Sequence, residues 1–180
     1  MDKIIQTKNT NFTIRFAKVE DTKLIIEFIR ELAEYENLID QVVVTEEILK
    51  DSIFKRKAAE VLIGEYNGEP IGFALFFHNF STFLGQPGIY LEDLYIRPKM
   101  RGKGFGKMLL SYLAEVAKER KCGRLEWWCL DWNESSIKFY KSLGAIPMDE
   151  WTVYRVTGEN LDNLSKKWNE GYEPNDKNDY

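Results

Sequence analysis

The sequence predicts a mixed α/β domain in which amphipathic helices lie against a sheet of short strands. Two segments carry apolar residues at spacings of three and four, the period of a buried helix face. Several shorter segments alternate apolar and polar residues or are continuously apolar, and turn-forming residues separate them. Because both periods occur along one chain of 180 residues, we expect both kinds of element in one domain.

The chain begins with a strand and two helices. Phe12–Phe16 alternates apolar and polar residues, as a half-buried strand does. Residues 21–36 have the apolar spacing of an amphipathic helix. A second, shorter helix is predicted over about 45–54, where Thr45 precedes two acidic residues in the manner of an N-cap.

Strands dominate the middle of the chain. Residues 59–66 and 71–78 are apolar segments, and Asn-Gly-Glu-Pro at 67–70 between them favours an antiparallel hairpin. Residues 81–88 contain two glycines and a proline, so they are predicted to form a loop. Residues 89–97 form the next predicted strand, which a proline follows.

Helices and strands alternate in the second half. A long helix is predicted to begin at Phe105 and to end before Gly123. A strand over 125–130, a short helix over 133–143 and a last strand over 151–156 follow. The predicted order of elements is therefore β-α-α-β-β-β-α-β-α-β.

Composition and charge narrow the class of protein. The length favours a single domain, here residues 1–168, followed by a polar tail over 169–180. A net charge of -4 gives no reason to expect binding to nucleic acid or to a membrane surface. No segment has the roughly 20 apolar residues of a membrane span, and the N-terminus lacks the apolar core of a signal peptide. A cytoplasmic location is expected.

Few residues suit a metal site. Cys122 and Cys129 are the only cysteines, and their spacing of seven matches no common zinc motif. Both are expected to be reduced thiols. His78 is the only histidine, which excludes a histidine-rich site. The chain is therefore predicted to bind no metal.

The strongest functional signal is a basic, glycine-rich segment, Arg-Gly-Lys-Gly-Phe-Gly at 101–106, between a predicted strand and a predicted helix. Glycine lets a ligand approach the backbone closely. The first N–H groups of a helix have no helical partner and attract anions. Five lysines and arginines lie within the eleven residues 97–107, in a chain of negative net charge. We therefore predict a phosphate-bearing ligand here, and a solvated glycine-rich turn is the alternative.

Three kinds of phosphate-binding loop are candidates for this segment. A P-loop requires Ser or Thr after Gly-Lys, but Gly104 follows Lys103. A dinucleotide fingerprint requires a third glycine where Lys107 stands. The remaining pattern, Arg-x-x-Gly-x-Gly after a strand, is met by Arg101, Gly104 and Gly106. This pattern resembles the pyrophosphate loop of the GNAT superfamily of N-acetyltransferases.

The resemblance extends over about residues 13–155 in the order of the elements, and within the superfamily it is to the spermidine/spermine and thialysine acetyltransferase branch. The motifs that carry it are the loop at 101–106, Glu34-Tyr35-Glu36, Tyr90-Leu91-Glu92-Asp93, and Leu130-Asp131-Trp132-Asn133 with Phe139-Tyr140. The resemblance implies a GNAT-like fold. Its central, mostly antiparallel mixed sheet would be splayed between the strands at 89–97 and 125–130, with helices on both faces.

The resemblance also implies acetyl-CoA as the acetyl donor. Its pantetheine arm would lie between the two splayed strands and pair with the backbone of 94–96, and its pyrophosphate would bind at 102–107. The residues expected to bind the donor are Leu94, Tyr95, Ile96, Arg101, Gly102, Lys103, Gly104, Phe105, Gly106, Lys107, Asn133 and Ser136.

Acetyl transfer to an amine requires a donor to the oxyanion and a proton for the departing thiolate. By resemblance, Tyr140 is the general acid, since a phenol stays protonated at neutral pH and can donate. Asn133, Ser136 and Tyr140 have helical spacing and share a face. By resemblance, Glu92 accepts the amine proton through water. A core tyrosine without a catalytic role is the alternative for Tyr140.

Acidic residues near the predicted cleft suggest a cationic acceptor. Glu92 and Asp93 are adjacent acids in an apolar strand, where burial of a charge is costly unless a cleft opens beside it. By resemblance, Asp93 and Glu36 bind the cationic end of the substrate. The implied substrate-binding residues are Tyr35, Glu36, Glu92 and Asp93. A structural salt bridge from Arg97 or Arg101 to one of these acids is the alternative.

The loop at 81–85 reads Ser-Thr-Phe-Leu-Gly and lacks an acid that the resemblance implies for polyamine enzymes. The expected reaction is therefore transfer of acetyl from acetyl-CoA to a primary amine of a small cationic molecule, thialysine, a diamine or a polyamine-like amine, by direct attack in a ternary complex. A protein lysine or N-terminal acetyltransferase is the first alternative, and a CoA-binding module without catalysis is the second. The resemblance implies a homodimer.

Overall fold

The computed structural model describes residues 4–168, which belong to two compact units. The first unit ends at Leu130 and the second begins at Asp131. The predicted polar tail at 169–180 lies outside the described residues. The expectation that residues 1–168 form one domain stays a prediction.

A six-stranded sheet forms the centre of the first unit. Its strands are β1 (Ile5–Gln6), β2 (Phe12–Phe16), β3 (Glu60–Tyr66), β4 (Glu69–Ser81), β5 (Gln86–Ile96) and β6 (Leu125–Trp127). Neighbours in the sheet follow chain order, and every pair is antiparallel except the parallel pair of β5 and β6. The predicted mixed, mostly antiparallel sheet is confirmed.

One face of the sheet packs against α1 (Thr22–Tyr35) and α2 (Glu46–Leu49). A turn of π-helix over Lys50–Lys55 continues α2. The buried cluster on this face consists of Ile25, Phe28, Leu49, Ile53, Val61, Ile63, Phe73 and Tyr95. Phe28 stacks on Phe73 with the ring centroids 5.4 Å apart. The helical spacing of apolar residues therefore predicts the buried face of α1 correctly.

The opposite face packs against α3 (Phe105–Glu119). Phe105 stacks on Phe12 of β2 with the ring centroids 4.6 Å apart. One turn later, Leu109 lies against Gly64 of β3, and a Cβ at this glycine would come within 2.8 Å of the Phe12 ring. Gly64 is therefore required for close packing. Since α1 and α3 lie on opposite faces, the predicted placement of helices on both faces is confirmed.

Several strand bounds differ from the prediction. β4 covers Glu69–Ser81 instead of residues 71–78. β5 begins at Gln86 instead of residue 89, because its pairing with β4 continues to the pair of Ser81 and Gln86. The loop between these strands is therefore only the four residues 82–85, shorter than the predicted loop at 81–88. β6 ends at Trp127 instead of residue 130.

The second unit contains the helices α4 (Glu134–Ser142) and α5 (Glu159–Lys166). The predicted short helix is confirmed by α4, whereas α5 and the short β1 had no prediction. The predicted last strand at 151–156 is wrong, since these residues are assigned to no strand. An alternating segment becomes a strand only where a neighbouring strand supplies hydrogen bonds. None of the helices between residues 4 and 168 has the length and apolarity needed to cross a bilayer.

Candidate active site

The glycine-rich loop leads from β5 into α3. A 3-10 turn over Pro98–Met100 precedes it, and Gly104 is the N-cap of α3. Gly102 and Gly104 have φ angles of 74° and 85°, which residues with a Cβ rarely adopt. Apart from each glycine and its two chain neighbours, no described heavy atom lies within 4 Å of the place that a Cβ would take at Gly102 or Gly104. Glycine therefore shapes the loop and leaves it open to a ligand.

The first turn of α3 supplies N–H groups without a helical partner. The first helical hydrogen bond runs from the N–H of Met108 to the carbonyl of Gly104, at 3.0 Å. Lys103 and Lys107 are exposed beside this turn. Phe105 is 2% exposed, so only its backbone is left for a ligand. The helix N-terminus and the two lysines together fit the predicted pyrophosphate site.

Arg101 joins the loop to α1. Its Nε donates a hydrogen bond to the carbonyl of Ile96 at 2.8 Å. Its guanidinium carbon lies 4.4 Å from the ring centroid of Tyr35 and 5.5 Å from that of Tyr95, both within cation–π distance. Among the described residues it forms no ion pair with a carboxylate. The alternative of a structural salt bridge from Arg101 is therefore wrong.

β5 contains a bulge at the acidic pair. Leu75 of β4 is opposite Asp93 and Phe76 is opposite Leu91, so Glu92 is an extra residue in the ladder. In a regular strand, adjacent side chains point to opposite faces. A bulge re-aims the side chains beside it, which removes this restriction for the two acids. Glu92 is exposed and Asp93 is half-buried.

The sheet opens immediately after this bulge. The pairing of β5 with β6 ends at Leu91 and Trp127, whereas β5 continues to Ile96. On this side, residues 92–96 have no strand neighbour in the part of the chain that the structure describes. The predicted splay between the two strands is therefore present. The backbone of 94–96 is available to pair with an extended ligand arm.

Three of the predicted substrate residues form one acidic group. Burial, together with the negative charges of Glu92 and Glu36, raises the pKa of Asp93 to about 7. Burial also raises the pKa of the Glu36 carboxyl. Asp93 forms no ion pair among residues 4–168. A cation placed here would relieve the repulsion between the carboxylates and favour their ionised form.

Arg97 anchors the end of β5 to α1. Its guanidinium donates hydrogen bonds to Glu31 at 2.9–3.2 Å, to Glu27 and to the carbonyl of Pro70 at 3.2 Å. These bonds hold α1 against the strand that carries the acidic pair. The alternative in which Arg97 pairs with an acid of β5 is therefore wrong. No local motif marks Glu27 and Glu31, which lie about 70 residues before their partner.

Tyr95 is part of the same network. Burial and a hydrogen bond to Glu31 raise the pKa of the Tyr95 hydroxyl to about 12. Its side chain belongs to the core, so only its backbone is left for the predicted contact with the donor.

An open cavity of about 740 Å³ lies between the end of α1 and the turn after β5, and its lining includes Tyr35, Lys99 and Met100.

The second unit carries the remaining predicted residues on α4. Asn133 is 8% exposed, and its Oδ1 accepts a hydrogen bond from the backbone N–H of Ser136 at 3.2 Å. This contact is the N-cap of α4. Tyr140 is half-buried on the same helix, and its ring lies beside that of Phe139 with the centroids 5.3 Å apart. The catalytic role of Tyr140 stays a prediction.

Comparison with known proteins gives the family. The sequence model of the Acetyltransferase (GNAT) family matches residues 25–145, which include the glycine-rich loop and the acidic pair. This chain belongs to the GNAT family. The GNAT protein is therefore an N-acetyltransferase, and the fold and enzyme class expected from the motifs are confirmed.

Relatives of this GNAT protein fit the predicted branch. It is 39% identical over 168 residues to the thialysine N-epsilon-acetyltransferase of Bos taurus, covering 86% of this chain and 97% of that one. It is 44% identical over 95 residues to an L-ornithine N5-acetyltransferase of Arabidopsis thaliana, covering 53% of this chain and 42% of that one. A solved integron cassette protein from the mobile metagenome of V. cholerae is 27% identical, with a TM-score of 0.73 over 87% of this chain and 98% of that one.

Proposed function

We propose that this enzyme transfers the acetyl group of acetyl-CoA to a primary amine of a small cationic molecule with a thialysine-like, lysine-like or diamine structure. The observation that carries the proposal is the acidic group of Glu36, Glu92 and Asp93 beside the open edge of β5. It has a carboxyl whose pKa lies near neutrality and no described cation to neutralise it. An ammonium group of the acceptor supplies the missing charge.

The donor side supports acetyl-CoA. The open glycines at 102 and 104, the helix N-terminus at Phe105 and the exposed lysines suit a pyrophosphate. The unpaired backbone of 94–96 suits an extended amide chain, which can hydrogen-bond to a strand edge. The unpaired backbone of 94–96 is followed along the chain by the glycine-rich loop, so one elongated donor can bind both.

The reaction forms a C–N bond and breaks the C–S bond of the thioester by direct attack in a ternary complex. The neutral amine attacks the thioester carbon, and a backbone N–H at the open edge of β5 stabilises the oxyanion. Glu92, exposed at the bulge, accepts the proton that leaves the nitrogen through a water molecule. Tyr140 donates its phenolic proton to the departing sulfur.

Two observations support a short acceptor. Two of the relatives are named for acetyl transfer to thialysine and to L-ornithine. The loop at 82–85 contains no carboxylate, so a second, distant cationic group of a long polyamine would find no partner there.

We further propose that the protein is a homodimer and that it lies in the cytoplasm. The resemblance to the branch supports the homodimer, and the composition supports the location.

An acetylation assay with free-thiol detection tests the proposal. Thialysine, lysine, ornithine, 1,3-diaminopropane and spermidine are compared with a lysine-containing peptide and a peptide with a free N-terminus. We expect turnover with the small amines and the highest kcat/KM with the amino acids. Turnover with the peptides alone would favour a protein acetyltransferase, and CoA binding without turnover on any amine would favour a binding module.

A further inference from the structure

We propose that Arg101 and Tyr35 couple the donor site to the acceptor site, so that each substrate strengthens the binding of the other. The inference rests on the proposed function, because it requires both a CoA site at the glycine-rich loop and an amine site at the acids. It assigns to Arg101 a positioning role in addition to its predicted contact with the donor.

The first step is the contact between the loop and α1. The guanidinium of Arg101 lies over the Tyr35 ring at 4.4 Å, and its Nε is fixed by the carbonyl of Ile96 at 2.8 Å. Arg101 is a residue of the donor loop, and it contacts both Ile96 at the end of β5 and Tyr35 at the end of α1. A change in the position of its side chain reaches all three.

The second step is the orientation of the remaining donors. A guanidinium stacks through its face and forms hydrogen bonds through its edge. In Arg101 the guanidinium carbon lies over the Tyr35 ring and within cation–π distance of Tyr95, and Nε donates to the carbonyl of Ile96. Among the described residues, its two terminal nitrogens form no hydrogen bond, and the residue is exposed. A phosphate of the donor can therefore bind these nitrogens while the stack on Tyr35 remains.

The third step connects Tyr35 to the acids. Tyr35 is the last residue of α1, and Glu36 is its C-cap. Asn37, with φ of 60°, ends the helix, and the Leu38 N–H bonds to the carbonyl of Ala33 at 2.8 Å. Because this turn is closed by its own hydrogen bonds, Tyr35 and Glu36 move together.

The fourth step is the position along α1 at which each arginine makes its contact. Arg97 holds α1 at Glu27 and Glu31, one turn or more before Glu36. The contact of Arg101 with Tyr35 connects the donor loop to the last turn. A phosphate that fixes Arg101 thus orders Tyr35 and Glu36 before the amine arrives, and the amine loses less conformational entropy on binding.

Calorimetry with CoA, which carries no acetyl group, and thialysine measures the coupling without turnover. The amine Kd is determined for the enzyme alone and at saturating CoA. We expect CoA to tighten amine binding by about five-fold, and the amine to tighten CoA binding by the same factor, because coupling between binding sites is reciprocal.

Matched variants locate the coupling. Tyr35→Leu removes the ring, so the coupling factor should fall to nearly one. Tyr35→Phe keeps the ring and should keep the factor. Arg101→Lys retains the charge but loses the planar stack, and it should lose the coupling even where CoA still binds. If Tyr35→Leu does not fold, Arg101→Lys and Tyr35→Phe give the answer.

The outcomes separate the two proposals. Independent binding of CoA and amine to the natural protein, or full coupling in Tyr35→Leu or in Arg101→Lys, would overturn the coupling and leave the proposed function intact. Failure of the natural protein to bind CoA or any small amine would overturn both. Loss of coupling in Tyr35→Leu with retention in Tyr35→Phe supports the inference.

Discussion

Asp93 is a carboxyl that loses its proton near neutral pH because it is half-buried beside two other acids. Its pKa in the folded protein is about 7, compared with an ordinary value of 3.8. The folded protein therefore binds this proton more tightly than the unfolded chain does. The contribution of Asp93 to stability is complete below about pH 4 and is lost as the pH rises through about 7.

The variant Asp93→Asn tests this linkage. Because the amide cannot ionise, we expect the variant to unfold with a free energy about 1–2 kcal/mol higher than the natural protein at pH 8, with no such gain at pH 4. Urea denaturation at the two pH values measures the difference. Asp149→Asn, at an exposed position, is the control. Equal differences at both pH values would contradict the raised pKa.

The same carboxyl predicts a pH dependence of amine binding. Below about pH 7 Asp93 is protonated, and above it the negative charge is available to a cationic amine. We expect the affinity for an amine that stays charged to rise between pH 6 and pH 8, and calorimetry at fixed CoA measures it. In Asp93→Asn the affinity should be low and independent of pH. A parallel rise in the variant would assign the effect to another group.

A side chain at Gly106 can crowd the ligand without straining the backbone, because Gly106, unlike Gly102 and Gly104, has no positive φ. Among the described residues outside its own helix and chain neighbours, a Cβ at Gly106 would meet Ile96 alone, at an ordinary 3.7 Å. Gly106→Val is therefore expected to leave the Tm unchanged or higher, because glycine is a poor helix former. It should weaken CoA binding about ten-fold or more by crowding the pyrophosphate. Ser111→Val, on the exposed side of α3, is the matched control. Unchanged CoA affinity would contradict the loop assignment.

At the scale of elements, the hydrogen bonds of Arg97 join α1 to the end of β5, the strand that carries the acidic pair. Arg97 is half-buried and reaches Glu27, Glu31 and Pro70, so it joins two elements that are far apart in sequence. Loss of this side chain leaves two carboxylates close together without their cation. Such unpaired groups are costly because they keep their desolvation penalty.

Arg97→Met is expected to lower the free energy of unfolding by about 2 kcal/mol, measured by urea denaturation. Lys99→Met removes a neighbouring exposed charge and should change stability by less than about 0.5 kcal/mol. Similar losses in the two variants would show that the pairs of Arg97 contribute little.

The spacing of apolar residues predicted those elements whose buried face is visible in their own sequence. The bounds of Phe12–Phe16 were predicted fully, and those of α1 within a residue at each end. The start of β5 was missed because Gln-Pro-Gly at 86–88 has the composition of a turn, whereas β4 supplies its hydrogen bonds from across the hairpin. The strand at 151–156 was wrong because alternation shows only a tendency to extend.

Of the candidate site, too, only the part that short motifs encode was predictable from the sequence. The loop at 101–106 and the acids at 92–93 were predictable because a short motif contains their chemistry. The bulge at Glu92 depends on the register of β4 and leaves no sign in β5 itself. The stack of Arg101 on Tyr35 and the pairs of Arg97 join residues about 66 positions or more apart, so no local pattern contains them.

For the whole molecule, a ligand that binds only the folded chain raises its stability by mass action. Acetyl-CoA at a hundred times its Kd is expected to add about 2.7 kcal/mol. For a protein of this length we expect the Tm to rise by several degrees, measured by differential scanning calorimetry. Free adenine without phosphates should give a much smaller shift, since it lacks the group that the loop binds. No shift with acetyl-CoA would contradict a donor site in the native fold.

The extra residue in β5 has a consequence for the placement of the acidic pair. A chain without Glu92 would keep every pair of the ladder between β4 and β5, because Leu91 and Asp93 already face consecutive residues of β4. The bulge also lies where the pairing of β5 with β6 ends, at Leu91 and Trp127. Glu92 is therefore one residue more than the ladder requires, and a chain that lacks it would place its remaining acid in a regular strand.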